Sequence, residues 1–249
     1  MAGVQIIYDT TCVSTSDTTC TWVVPSGVCR VTFEIWGGGG GGGNKGTNCD
    51  CCSRGGPGSG GGYSKVTIDT VPGTSYSIVA GKAGVSSQGY GSYCGICCDG
   101  CTGGTSYVSG TGLTSFCATG GYGGKSDFTT NCYSHCGCNF FTQVPGCGYG
   151  TNATIAKGMS GITTRYGDDN PYNIVNLAGG AGGPGGGAGG FNHFGGYNNS
   201  AGYCALIGEH PQHGRIPGGG GAGSGGYSDC VCTPYPSGRG APGLVKITY

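Results

Sequence analysis

The sequence predicts an all-β protein: a small antiparallel β-sandwich carrying packed glycine-rich segments of polyproline-II type and long cysteine-stapled loops. Three observations predict it. Short apolar/polar alternations recur along the chain, and no run of helical period survives between glycines. Glycine supplies 62 of the 249 residues, against a usual share of roughly 7%. Charged residues make up 9% and leucine is scarce, so a large conventional core is out of reach. Such a composition often means disorder. The 16 tyrosines spread along the chain and the 18 cysteines argue for order instead.

The clearest strand is CRVTFEIW at 29–36, where Val31, Phe33 and Ile35 alternate with Arg30, Thr32 and Glu34, the period of a half-buried strand. VTIDT at 66–70 repeats the pattern, and YSIVA at 76–80 is expected to return as a hairpin through the Pro72-Gly73 turn. Earlier candidates are 4–8 and 21–24, the second stopped by Pro25-Ser26-Gly27. Weaker candidates lie at 106–109, 127–129, 173–177 and 204–207. LVKITY closes the chain with Val245, Ile247 and Tyr249 on one face.

Glycine runs occupy 37–43, 179–190 and 218–226. The middle one begins GGA-GGP-GGG, a period of three, which is the polyproline-II repeat. The expectation is extended glycine helices packed side by side, because backbones without Cβ atoms can approach and hydrogen-bond laterally. The competing reading is flexible linkers, but the runs fall between strand candidates. One domain is expected over 1–249: strands at 1–24 available for attachment, a first β block at 25–84, a cysteine- and tyrosine-rich insert at 88–150, and glycine tracts with the closing strand at 173–249.

The order of parts resembles the glycine-rich domain of phage tail-fibre and other virion proteins. WVVPSGVCRVTFEIWGGGGGGG is similar to its opening, GGGYSKVTIDTVPGTSYSIVAGKAG to its second block, and GGAGGPGGGAGG with GRGAPGLVKITY to its close. There is a looser similarity to the polyglycine-helix tip adhesins of T-even-like phages. The resemblance implies a virion structural protein, a tail-fibre or tip adhesin that recognises the host cell surface. Its expected partners are other virion proteins and a host surface glycan or outer-membrane protein, in a homotrimer by analogy with fibre tips. The alternative is a capsid or tail decoration or cement protein that touches no receptor. An ice-binding glycine bundle is a third class, disfavoured by the aperiodic insert.

The start MAGVQIIYDTTC has no basic region and no apolar stretch, so no signal peptide is expected. Manufacture in a host cytoplasm and exposure on a released particle would reconcile this with an extracellular style of cysteine usage. Formal charge is zero, which disfavours nucleic-acid binding through phosphates, and no apolar run reaches membrane-spanning length. No enzyme is expected, because no nucleophile–base–orienter pattern appears. The stretch 119–126 misses a phosphate loop, with Thr119 where glycine belongs.

The cysteine reading is a disulfide network over Cys49, Cys51, Cys52, Cys94, Cys97, Cys98, Cys101, Cys117, Cys132, Cys136, Cys138, Cys147, Cys230 and Cys232, stapling a chain with little core. The alternative is zinc held by Cys94, Cys97, Cys98 and Cys101, two CxxC units back to back; otherwise no cofactor is expected. His210 and His213 form a weaker metal pair, and Asp168-Asp169-Asn170 reads as a solvated turn before Pro171. For receptor binding the candidates are Tyr90, Tyr93, Tyr107, Tyr122, Tyr133 and Tyr149, interleaved with Ser, Gly and Asn, the chemistry of adaptable binding loops and of sugar-binding surfaces. The same tyrosines serve equally as packing over glycine backbone.

Overall fold

A computed structural model describes residues 3–8, 16–43, 55–86, 99–125, 143–165, 175–194, 212–223 and 237–249. All regular structure among them is β. The strands are β1 (Val4–Tyr8), β2 (Thr18–Val23), β3 (Arg30–Trp36), β4 (Tyr63–Asp69), β5 (Ser75–Ala80), β6 (Ser106–Ser109), β7 (Cys117–Ala118), β8 (Gly148–Tyr149), β9 (Thr154–Ala156), β10 (Ile162–Arg165), β11 (Val175–Ala178), β12 (Phe191–Phe194) and β13 (Leu244–Thr248). Two antiparallel five-stranded sheets, ordered β1-β13-β3-β4-β9 and β2-β5-β6-β7-β8, form the sandwich. A three-stranded sheet, β10-β11-β12, stands apart from both.

Alternation decides which side chains meet between the sheets. Val31, Phe33 and Ile35 of β3 and Val245 and Ile247 of β13 point inward from the first sheet, each at most 1% exposed. Trp22, Tyr76, Ile78 and Val108 answer from the second sheet, and together they form one core. Trp22 is its aromatic hub: its ring centroid lies 5.9 Å from Phe33, 6.1 Å from Tyr76 and 5.4 Å from Tyr249. These separations suit edge-to-face and tilted packing.

The hairpin expected between β4 and β5 does not form. β4 pairs with β3 and β9, whereas β5 pairs with β2 and β6 in the opposite sheet. The Pro72-Gly73 turn is therefore an arch across the core, and Pro25-Gly27 is a second one. The two arches lie side by side, with Val24 N–H donating to Thr74 O and Gly73 N–H to Val24 O, both at 2.9 Å. Gly27 and Gly73 have φ of 80° and 84°, a left-handed conformation that favours glycine. The N-terminal strands are built into the sandwich by one edge each, β1 along β13 and β2 along β5. They are the edge strands of their own sandwich. The insert at 88–150 is likewise more than loop, because its described part supplies β6, β7 and β8 of the second sheet.

At the top of the sandwich the strands run on as glycine helices. Residues 37–43 continue β3, 81–86 continue β5, and 119–125 continue β7; 55–62 lead into β4, 99–105 into β6, and 237–243 into β13. Segment 37–43 is the axis of this bundle, and its partners change with a period of three. The N–H groups of Gly37, Gly40 and Gly43 donate to Gly62, Ser59 and Gly56 at 2.8–3.0 Å. Gly38 and Gly41 donate to Gly104 and Cys101, and Gly39 and Gly42 to Ala241 and Gly238. Its carbonyls accept from three further segments, through Gly84, Gly121, Gly124 and Gly221. Six neighbours therefore surround one threefold helix, the geometry of laterally bonded polyproline-II helices.

Segment 55–62 is a second hub, donating in steps of three to 218–221, 119–125 and Met159. The run 179–190 folds back on itself: Gly180 and Gly183 bond to Gly58 and Gly61, and Gly187 and Gly190 to Pro217 and Gly220. Its turn covers the outer side of the first sheet, where Trp36 Nε1 donates to Pro184 O at 2.8 Å.

Two buried serines join the layers where they converge. Ser106 Oγ donates to Trp36 O at 2.6 Å, and Ser64 Oγ donates to Cys117 O at 2.8 Å while accepting Tyr149 N–H at 2.9 Å. Above them no side chain fits in the bundle's axis. A Cβ on Gly40 would overlap the carbonyl of Tyr122. Gly40→Ala is expected to destabilise the fold by at least about 3 kcal/mol. The neighbouring Ser59 gives the contrast, since its buried Oγ has no hydrogen-bond partner. Ser59→Ala should leave stability unchanged or raise it by about 1 kcal/mol, with chemical denaturation of both variants as the check.

Candidate functional site

The two sandwich faces exposed to solvent differ in chemistry. On the first sheet, register aligns Ile6, Lys246, Glu34 and Lys65 across four strands. Glu34 is bridged by Lys246 at 3.2 Å and Lys65 at 3.3 Å, and accepts the Tyr63 hydroxyl at 3.0 Å. Burial pushes the Glu34 carboxyl up, but the hydrogen bonds from Tyr63, Lys246 and Lys65 outweigh it and hold it below its ordinary value. Burial, then Glu34, pushes the Tyr63 phenol up to about 12. Arg30 and Asp69 pair at 3.5 Å in the open, where such a bridge contributes little. This is a charge-laced, structurally engaged face.

The second sheet carries no Asp, Glu, Lys, Arg or His in any of its five strands. Its register places Thr19, Val79, Tyr107, Cys117 and Tyr149 in one row running across all five. Tyr107 and Tyr149 are 41% and 49% exposed. Beside this row stand Thr21, Ser77 and Ser109, again in register. Two tyrosines named from sequence thus share a surface, two strand spacings or about 10 Å apart, with Cys117 between them. The flanking hydroxyls were missed, although Thr19 and Thr21 in TTCTWV and Ser75 and Ser77 in SYSIVA, each pair two places apart, carried the signal.

Tyr122 is exposed on glycine segment 119–125, away from that row. Segment 119–125 does not act as a phosphate loop: Thr119, Gly121, Tyr122 and Gly124 spend their N–H groups on Cys147, Gly38, Val144 and Gly41 carbonyls. Tyr90, Tyr93 and Tyr133 lie outside the described residues, as do Cys49, Cys51, Cys52, Cys94, Cys97, Cys98, Cys132, Cys136, Cys138, Cys230 and Cys232. The described candidates Cys101, Cys117 and Cys147 are free thiols, and so are Cys20 and Cys29. Backbone bonds tie the segments of Cys101 and Cys147 laterally to their neighbours, through Gly41 N–H to Cys101 O and Thr119 N–H to Cys147 O. Of the zinc set only Cys101 is described, and among the described residues no cluster of His, Cys, Asp or Glu is placed to hold a metal. The pair His210 and His213 is half described. His213 Nδ1 accepts Arg239 N–H at 2.9 Å, an engaged structural role.

A sandwich whose strands run on into laterally bonded glycine helices defines a class, the glycine-bundle β-protein. The chain belongs to the family described as glycine-rich domain, which it matches over residues 14–249. No curated protein matches it.

Two measurements follow from the thiols and the imidazole. Burial pushes the thiols of Cys20 and Cys117 up, and the thiolate is the reactive form. Maleimide labelling at neutral pH, read by peptide mass mapping, should modify exposed Cys29 and Cys101 at least about tenfold faster. Partial burial, then the Arg239 charge, lowers the His213 imidazole below 6.5. The neutral form is thus favoured on folding, and its contribution is present above the unfolded value and lost as pH falls through the lower folded value. The thermal midpoint should fall more steeply below about pH 6.5 than in His213→Gln.

Proposed function

We propose that the chain is a phage virion structural protein and serves as a tail-fibre or tip adhesin for the host cell surface. One observation carries this reading. The sandwich-distal ends of the glycine helices converge: Gly43 N–H bonds to Gly56 O, Gly56 N–H to Lys125 O, Gly100 N–H to Gly124 O, and Gly42 N–H to Gly238 O. Segments 44–54, 87–98, 126–142 and 224–236 therefore all start and finish at one end of the molecule. Those four segments hold 11 of the 18 cysteines, together with Tyr90, Tyr93 and Tyr133. A bundle that brings the ends of four cysteine-bearing segments to one end, with a sandwich at the other, suits a tip that presents them to a receptor.

A decoration protein is the second reading, favoured by the exposed Val4 and Ile6 on edge strand β1, where a neighbouring subunit's strand would add to the sheet. Immunogold labelling of intact virions separates the two. Label at fibre tips is the expected result, and replacing segments 87–98 and 126–142 with those of another family member should then change host adsorption. Label spread over the capsid or along the tail would replace the adhesin reading with the decoration one.

A further inference from the structure

The outer face of the second sheet asks for an explanation that the loop-bearing end does not supply. Soluble surfaces typically carry about 25–35% charged residues, yet the strands of this sheet carry none. The face nevertheless stays exposed at Thr19, Thr21, Ser75, Ser77, Tyr107 and Tyr149. From these observations we infer that this face is a binding shelf for a neutral saccharide.

The chemistry follows from the row. Tyr107 and Tyr149 stand exposed about 10 Å apart on adjacent-but-one strands, a spacing that matches alternate pyranose units of an extended oligosaccharide. The C–H faces of a sugar ring pack on tyrosine, and its hydroxyls exchange hydrogen bonds with Ser77, Ser109 and Thr21. Cys117 keeps the floor between the rings low. Absence of charge selects the ligand: a carboxylated or sulfated sugar would lose its water with no cation to receive it. A second copy of this chain fits less well, because protein interfaces are depleted in serine, and serine and threonine dominate here.

The inference rests on the adhesin reading only for the source of the sugar. Binding by purified protein absent from virions would keep the shelf and remove that reading. The test applies full-length protein to immobilised neutral gluco-, galacto-, manno- and N-acetylglucosamine oligosaccharides beside sialylated and sulfated ones. Neutral oligosaccharides should be bound, and Tyr107→Ala or Tyr149→Ala should weaken binding at least tenfold. Ser77→Arg leaves both rings in place and adds a guanidinium to this exposed face; it should weaken binding similarly. Thr67→Arg, on the opposite sheet's outer face, should not. Binding to none of these sugars, binding to the anionic set alone, or binding indifferent to all three variants would overturn the inference. So would self-association in sedimentation that Ser77→Arg abolishes, because the face would then join copies of the chain.

Discussion

The rest of the structure depends on the hydrogen bond between two backbones with no Cβ between them. Each glycine ordered in an extended helix loses more conformational freedom than any other residue. A single isolated glycine helix has no internal hydrogen bonds with which to offset that loss. Packed around 37–43, the same segments direct N–H and C=O groups outward in three directions and meet a partner in each. A buried backbone bond contributes a net ~0.5–1.5 kcal/mol, so order emerges only when many form together. The bundle is therefore cooperative by construction. It needs the correct register, which the threefold repeat and the strands feeding into it supply.

The sandwich supplies that starting register. Face-to-face sheets stand about 10 Å apart, and side chains such as Phe33 and Ile78 fill the gap. Toward the top, the partners shrink from Phe and Ile to the hydroxyls of Ser64 and Ser106, and then to bare backbone. The two layers taper together, and each strand that ends there is already aimed along a glycine helix. Far from being a hinge between domains, the run after Trp36 is the continuation of a core strand by other means.

Much of this was legible in the sequence. The alternation in RVTFEIW and LVKIT identified β3 and β13 and the faces they bury, and the triplet spacing in GGA-GGP-GGG identified laterally packed helices. Strand partnership was not legible. Alternation specifies which face of a strand is buried and leaves its neighbour open, so β4 and β5 read as a hairpin although they occupy opposite sheets. The two-residue strands β7 and β8 are too short to show any period. Cysteine spacing suggested staples, yet Cys101 and Cys117 are placed by backbone bonds from Gly41 N–H and within the β6–β7–β8 ladder. Of the tyrosine candidates, Tyr107 and Tyr149 come together on the second sheet. They stand on strands, and only the register reveals that they share a row.

Backbone amide exchange across residues 37–43 distinguishes a packed glycine helix from a linker. Seven glycine N–H groups with no side chains to shield them would exchange at the rate of an unstructured chain if the run were a linker. In the bundle all seven donate to a neighbouring segment, and they open only when the whole bundle unfolds. Hydrogen–deuterium exchange followed residue by residue should show them protected to the same free energy as Phe33 and Ile78. Exchange of these glycines at coil rates, beside a protected sandwich, would contradict the account.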